Sequence, residues 1–314
     1  MTQLIPVQEY IAGNPTQATG ERAGPGRSYC EQLEEGNILF FVRSPIAIAE
    51  SDREFLLSQR QSGAAYHKNI AYRPQQDRVT GLEKRSAEDQ ARLRDILRNY
   101  SQQVTQFLAG LLPRYAGAAR VDFASFRPQE ERGRPARVNA RNDLLHVDSF
   151  PTRPTYGDRT MRFFTNINPA EPRVWLTSET FEELAQRFSG PSAPPKLFPS
   201  PARSGSPLGS LRRLARTVGL PVRPASPFDD FMHRFHNFLK QNSEFQATCP
   251  KTRWEFPPHS SWIVLTDAVS HAVLSGQFAL EQTYIIPRSA LALPEKAPIN
   301  ILERICGRPL TGNG

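Results

Sequence analysis

Cysteine is scarce in this chain: Cys30, Cys249 and Cys306 are the only three, an odd number at wide spacings. They make no disulfide framework and no zinc-binding spacing, and they agree with a reducing compartment. Long apolar runs are missing too. The most apolar stretch, residues 37–42, is followed at once by Arg43, far short of the roughly 20 residues a membrane span needs. The first seven residues carry neither the basic region nor the apolar block of a secretory signal, so the expected compartment is the cytoplasm. A long Lys/Arg block, a recognised nucleic-acid motif and an internal repeat are also lacking.

What remains describes a soluble globular protein. Hydrophobic residues make up 39% of the 314 and aromatics 10%, enough to bury a substantial core and too many for a disordered chain. Lys and Arg total 39 against 31 Asp and Glu, for a net charge of +8 carried mainly by arginine. That excess fits an anionic partner: nucleic acid, a phosphorylated or carboxylated sugar, or the anionic face of a membrane. Without a nucleic-acid motif, nucleic acid is not the expected one.

Residues 1–36 read as an irregular arm rich in Gly, Pro, Thr and Gln, and 37–314 as one domain. Residues 37–49 form an apolar, β-prone run, and Ser51 is placed to cap a short helix over 51–60. Residues 64–84 read as a polar loop. The clearest helix spans 87–112, with Ser86 as cap and Leu93, Ile96, Leu97, Tyr100, Val104 and Leu108 at helical spacing; it should lay its stripe on the outside of a sheet. Strands are expected over 120–127, 142–150, 160–168 and 174–177, a helix over 179–188, and a Pro/Ser-rich insertion over 189–227. A helix over 228–241 and strands over 262–266, 271–274 and 278–286 complete the pattern. Strands on both sides of a helical insertion indicate a mainly β protein with flanking helices, a jelly-roll or cupin-like barrel.

His146, Val147 and Asp148 carry the strongest chemical signal. On a strand, residues two apart point to the same face, so this imidazole and carboxylate can hold one ion. One more histidine would make the two-histidine, one-carboxylate site of non-haem Fe(II) oxygenases. The triplet alone is a weak motif. His233 and His236 lie three apart on a helix and read as solvated; His259 follows two prolines in a turn, and His67 sits in the polar loop. His271 opens a late strand, and taken alone it would be read as merely capping it.

Three passages together are more specific: Leu145-His-Val-Asp-Ser-Phe150, Met161-Arg-Phe-Phe-Thr-Asn-Ile-Asn-Pro169, and the strand pair from Trp262 to Ile286 that contains His271. With them the chain resembles the Kdo hydroxylase family from about Asn37 onward. Those enzymes are Fe(II)- and 2-oxoglutarate-dependent dioxygenases acting on 3-deoxy-D-manno-oct-2-ulosonic acid (Kdo) of Gram-negative lipopolysaccharide. The resemblance implies a double-stranded β-helix, iron held by His146, Asp148 and His271, and O2-dependent hydroxylation of Kdo at carbon 3. The product is Ko, with succinate and CO2 released.

It also implies a cation for the far carboxylate of 2-oxoglutarate. Many relatives in the wider superfamily place an arginine about ten residues after the distal histidine, where this chain has Glu281. Arg288 lies beyond Pro287. Other branches use a strand soon after the His-x-Asp, which points to Arg162, with Arg127 second and Gln282 and Thr283 adding hydrogen bonds. Residues 161–167 alternate Met161, Phe163, Thr165 and Ile167 against Arg162, Phe164 and Asn166, and an arginine in such a strand needs a buried anion. The alternative partner is an internal Asp or Glu in a structural salt bridge. Arg153, Tyr156 and Arg159, on the loop after the iron motif, are candidate contacts to the acidic sugar. Kdo-lipid A implies peripheral association with the inner face of the inner membrane. The alternatives are an oxygenase for another anionic substrate, or a cupin-like sugar or nucleic-acid binder without catalysis.

Overall fold

The computed structural model describes residues 1–7, 27–61, 69–82, 86–190, 197–198 and 226–311. His67, most of the insertion at 189–227 and the middle of the N-terminal arm lie outside them. Among the described residues, eleven strands form two sheets. The larger runs in the order β1 (Leu4–Pro6), β2 (Ile38–Phe41), β9 (Ser261–Leu265), β6 (Arg159–Asn166), β11 (Ala279–Ile286), β5 (Arg120–Arg127), β3 (Ile70–Arg73), β4 (Arg78–Thr80). The smaller is β10 (Val269–Ser275), β7 (Arg173–Thr180), β8 (Thr252–Phe256). Apart from the parallel pair β1 and β2, the strands run antiparallel. Late strands are inserted between early ones, as in a jelly roll, although the sheets do not close.

β6 shows how the sequence divides the interior. Met161 and Phe163 face outward onto α3 (Ala87–Leu111), where Phe163 meets Phe41 and Phe107 at ring distances of 6.2 and 6.0 Å. Arg162 and Phe164 face the smaller sheet. There Phe164, Trp175, Phe256 and Trp262 form an aromatic plug, with Phe256 and Trp262 stacked at 4.0 Å. α3 is capped as expected, Ser86 accepting from the Asp89 amide at 3.0 Å. It buries Leu93, Ile96, Leu97, Val104 and Leu108, each such side chain contributing about 1.5–3 kcal/mol.

Several expectations need correction. The 142–150 segment is not a regular strand; only His146 is bridged, to His271. His146 and His271 exchange backbone hydrogen bonds of 3.1 and 2.9 Å, but Val273 N donates to Asn142 O, so four chain steps on one side oppose two on the other. The surplus residues bulge and break the ladder. The described ends of the arm are ordered, as β1 and as α1 (Tyr29–Glu34), which carries a capping box from Ser28 and Glu31. The expected polar loop contains β3 and β4. α2 (Glu50–Ser58) starts before Ser51, with Ala49 at its cap and no side-chain bond there. α4 (Phe181–Ser189) and α5 (Pro227–Gln241) match the expected helices closely, and α6 (Ser243–Thr248) and α7 (Pro298–Cys306) are additional.

Candidate active site

The irregular ligand segment is pinned from both sides. Asp148 N donates to Thr266 O in the β9–β10 turn at 2.9 Å, and Gln246 of α6 holds both the amide and the carbonyl of Leu145. Side-chain alternation survives the bulge: Val147 is buried in the core, while His146 and Asp148 turn to the cavity. The bridge to β10 brings His271 alongside, and ligand atoms of the three residues lie within 4.8 Å of one another. His146 Nε2 is 3.7 Å from Asp148 Oδ1, and His271 Nε2 is 4.0 Å from Oδ2. Each imidazole is oriented through its other nitrogen: His146 Nδ1 lies 2.7 Å from Leu144 O and His271 Nδ1 3.1 Å from Val269 O. Donation there fixes the tautomer that leaves Nε2 as a lone-pair donor. Trp175 stacks on the His271 ring at 5.4 Å.

The electrostatics favour the ligating forms. Burial, reinforced for His146 by His271 and Lys240, holds both imidazoles below the usual histidine range, hence neutral. Burial opposes ionisation of Asp148, but the Arg162 guanidinium outweighs it and holds the carboxyl well below its normal range. Two neutral imidazoles and one carboxylate on one side of a point make a donor set suited to Fe(II) with coordination positions left open.

Arg162 stands beside this triad, with Nη2 3.0 Å from Asp148 Oδ2 and Nη1 3.2 Å from Glu281 Oε1. Glu281 also receives Arg127, whose Nε lies 2.9 Å from Oε2, and the Thr283 hydroxyl at 2.9 Å. Burial again opposes its ionisation, but the two arginines prevail and draw its carboxyl down to about 2. Glu281, at the position expected for an arginine, is therefore a hub that orients two arginines from β5 and β6.

The remaining expected residues separate. Arg153 lines the cavity, ion-paired to Asp122 and held between the rings of Phe123 and Phe150, 4.3 and 4.4 Å from their centroids. Arg159, Tyr156 and Gln282 are not brought to the cavity. Arg159 has the parity of Met161, so it faces away from Arg162; it is fully buried and bonds Asp267 at 2.9 Å. Tyr156 occupies a left-handed turn, φ 56°, whose amide is tied to Asp229. Gln282 alternates with Glu281 and Thr283, and its amide goes to backbone carbonyls, including Thr283 O at 2.9 Å.

The structure adds two groups that the sequence reading missed. His233 and His236, read as solvated, join Asn237 and Lys240 on the cavity wall. His236 packs edge-on against His146 at 4.8 Å and its Nδ1 lies 2.8 Å from Val147 O; burial and then Lys240 bring it down to about 4. The signal was there in the 233, 236, 237, 240 spacing, a polar stripe on a helix otherwise built on Phe228, Phe231, Met232, Phe235 and Leu239. Arg173 opens the apolar β7 and is buried at 1% exposure; Nη1 reaches Gly276 O at 2.9 Å, while Nε and Nη2 have no hydrogen-bond partner. Burial and the neighbouring Arg127 pull it down to about 10. An arginine in the sequence Arg-Val-Trp-Leu should have raised the same question as Arg162.

The resulting cavity has a volume of about 550 Å³ and is lined by five arginines and Lys240 against the carboxylates Asp148 and Glu281. A jelly roll with a His/Asp/His triad facing such a space is the architecture of a non-haem iron oxygenase. The chain belongs to the Kdo hydroxylase family: the family described as 3-deoxy-D-manno-oct-2-ulosonic acid (Kdo) hydroxylase matches residues 17–309. It is 33% identical to the Kdo hydroxylase KdoO in complex with cobalt(II), over 99% of this chain and 98% of that one, with a TM-score of 0.83. KdoO is described as a non-haem Fe(II) α-ketoglutarate-dependent dioxygenase, and its complex with α-ketoglutarate and Fe(III) is 34% identical over 90% of each chain, with a TM-score of 0.76. No curated protein matches the sequence significantly.

Proposed function

We propose that this protein is an Fe(II)- and 2-oxoglutarate-dependent dioxygenase that hydroxylates carbon 3 of Kdo in Kdo-lipid A, giving Ko, succinate and CO2. The observation that carries this reading is the buried triad of His146, Asp148 and His271 at the head of a strongly cationic cavity, in a chain of this family. Iron, when bound, supplies O2 activation coupled to oxidative decarboxylation of the cosubstrate. The protein's own residues set the geometry. His146, Asp148 and His271 would hold the metal from one side; Arg162 fixes the Asp148 carboxylate and tethers it to Glu281. The far carboxylate of 2-oxoglutarate is assigned to Arg127 and Arg173. Among the cavity arginines, Arg173 has two buried nitrogens without a hydrogen-bond partner, Nε and Nη2, where Arg73 and Arg162 each have only Nε, and a guanidinium fork matches a carboxylate. Arg153, stacked in the 150–153 loop, is assigned to the substrate side. No general base is needed, because the triad and the cosubstrate carry the oxidation.

A lipid-linked substrate calls for peripheral contact with the inner face of a membrane, which the basic composition suits; no helix among the described residues is long and apolar enough to cross one. The test is succinate formation from 2-oxoglutarate with Kdo-lipid A, dependent on Fe(II) and abolished by His146→Ala or Asp148→Ala. Mass spectrometry should show one added oxygen on Kdo. Cosubstrate consumption without oxygen on Kdo would favour another anionic substrate, and no consumption at all would leave a binding protein.

A further inference from the structure

Two anions must share one cavity, and they need different walls. The floor is closed: Arg173, Trp175, Phe164 and Glu281 are all buried. The mouth lies where cavity-lining residues are exposed, at Asn139 on one lip and at Pro151 and Thr152 on the other. A small diacid can occupy a closed floor. A sugar that continues into a larger glycolipid cannot, so it must lie against the walls that reach the mouth. One of these is α5, which runs from Asn139 inward to the metal ligands: Lys240 Nζ donates to Asn139 O at 3.3 Å, and one turn earlier His236 packs on His146.

Resting on the sugar-acid reading above, we propose that the α5 face bearing His233, Asn237 and Lys240 is the subsite that recognises the sugar, with the Lys240 ammonium pairing with its carboxylate. The hydroxylated carbon is two bonds from the carboxyl carbon, so the cation that holds the acid must lie close to the metal ligands. Lys240 meets that condition: it lies one helical turn from His236, whose ring packs on His146 at 4.8 Å, and it lines the same cavity as the three ligands. It is buried at 3% exposure yet lines the cavity. The arginines around the floor have other roles in the reading above: Arg127 and Arg173 face the cosubstrate, and Arg162 is paired to Asp148 and Glu281. On the neighbouring turns, Asn237 Nδ2 and His233 Nε2 are 3.2 Å apart, a polar pair spaced for sugar hydroxyls. The second lip, with Arg153 paired to Asp122, is the competing place for the acid.

The test uses full-length protein loaded with Co(II) and 2-oxoglutarate, which binds without turnover. Kdo methyl glycoside and its carboxamide are titrated calorimetrically into wild type, Lys240→Met, Lys240→Arg and Arg153→Met. Wild type should prefer the acid by about 10- to 100-fold, the range for one charge-assisted contact. Lys240→Met should weaken the acid about tenfold or more, leave the amide within about threefold, and lose the preference, while Lys240→Arg retains part of it. Unchanged acid affinity in Lys240→Met, equal loss on acid and amide, or loss of the preference in Arg153→Met alone would overturn the subsite. If wild type with Fe(II) hydroxylates no Kdo and binds neither ligand, the failure lies with the proposed function itself, and the subsite falls with it.

Discussion

Replacing Arg162 with methionine tests whether this arginine serves the metal ligand or the cosubstrate. It keeps the apolar stem of the side chain and removes a charge lying 3.0 Å from Asp148 and 3.2 Å from Glu281. At those separations each attraction is about 5 kcal/mol at an effective dielectric of 20, but burial of the arginine offsets much of it. Breaking a buried pair from one side costs about 3–5 kcal/mol net. Glu281 keeps Arg127, so the uncompensated charge is mainly that of Asp148, and the lower half of that range applies to the metal-free protein. For a chain of this size the loss lowers the Tm by roughly 4–6 °C. A divalent ion restores positive charge beside Asp148, so Co(II) should raise the Tm of Arg162→Met more than that of wild type. Thermal unfolding in EDTA and in excess Co(II) reads both quantities. An unchanged metal-free Tm together with a tenfold higher KM for 2-oxoglutarate would refute the reasoning and make Arg162 a cosubstrate clamp.

Three further outcomes follow from the same geometry. Arg173→Met should raise the KM for 2-oxoglutarate at least about tenfold, with Arg173→Lys recovering part, because the forked contact is lost but the charge is kept; steady-state succinate assays check it. Gly276 has φ +120°, and a Cβ there would stand 2.8 Å from Arg173 Cα, so Gly276→Ala should cost about 2 kcal/mol or more. It should also weaken cosubstrate binding, which denaturant unfolding and the same assays would show. In the metal-free protein, His236, held at about 4 against about 6.5 when unfolded, contributes stability that is full above pH about 6.5 and lost as pH falls toward 4. Glu281, held at about 2, adds a second loss between pH about 4.5 and 2. His236→Asn, which keeps a donor near Val147 O, should make the upper limb of the Tm against pH curve shallower and leave the lower limb unchanged; the lowered His146 and His271 supply the rest of the upper limb.

Legibility of the fold depended on how each element earns its burial. α3 and β5 were readable because each repeats its own period in sequence: a helical stripe from Leu93 to Leu108 in one case, and Val121, Phe123 and Ser125 alternating with Asp122, Ala124 and Phe126 in the other. β3, β4 and β8 were hidden because they lie at or near sheet edges. β8 alternates half-buried Thr252 and Trp254 with exposed Arg253 and Glu255, and the charged half of such a strand reads as loop. β2 ends at Phe41 although the apolar run continues, since the chain bends before Pro45 and Ser44 N is taken by His259 O at 2.7 Å. The bulge at 142–146 could not be foreseen, because it is defined by the register of β10, more than a hundred residues away.

The site divides along the same line. His146 and Asp148 were legible because the motif is local, and His271 because the passage around it resembles a family. The cationic wall was not, because it is assembled from β5, β6, β7 and α5 by pairings with no local trace. Glu281 shows what a residue-by-residue reading loses. In sequence, it is the absence of an expected arginine. In register, Glu281 lies opposite Ser125 on β5 and Phe164 on β6, so Arg127 and Arg162, each two residues along its own strand on the same face, converge on it. The glutamate thus gathers two guanidinium groups where relatives elsewhere in the superfamily place one, and it leaves that corner of the cavity with a net positive charge. A carboxylate at this position is compatible with binding a diacid only because its partners come from neighbouring strands. Glu281→Gln should therefore loosen Arg127 and Arg162 together, and a double-mutant cycle of Glu281→Gln with Arg162→Met should show coupling above about 0.5 kcal/mol. Additive losses would mean that the two arginines hold their places without it.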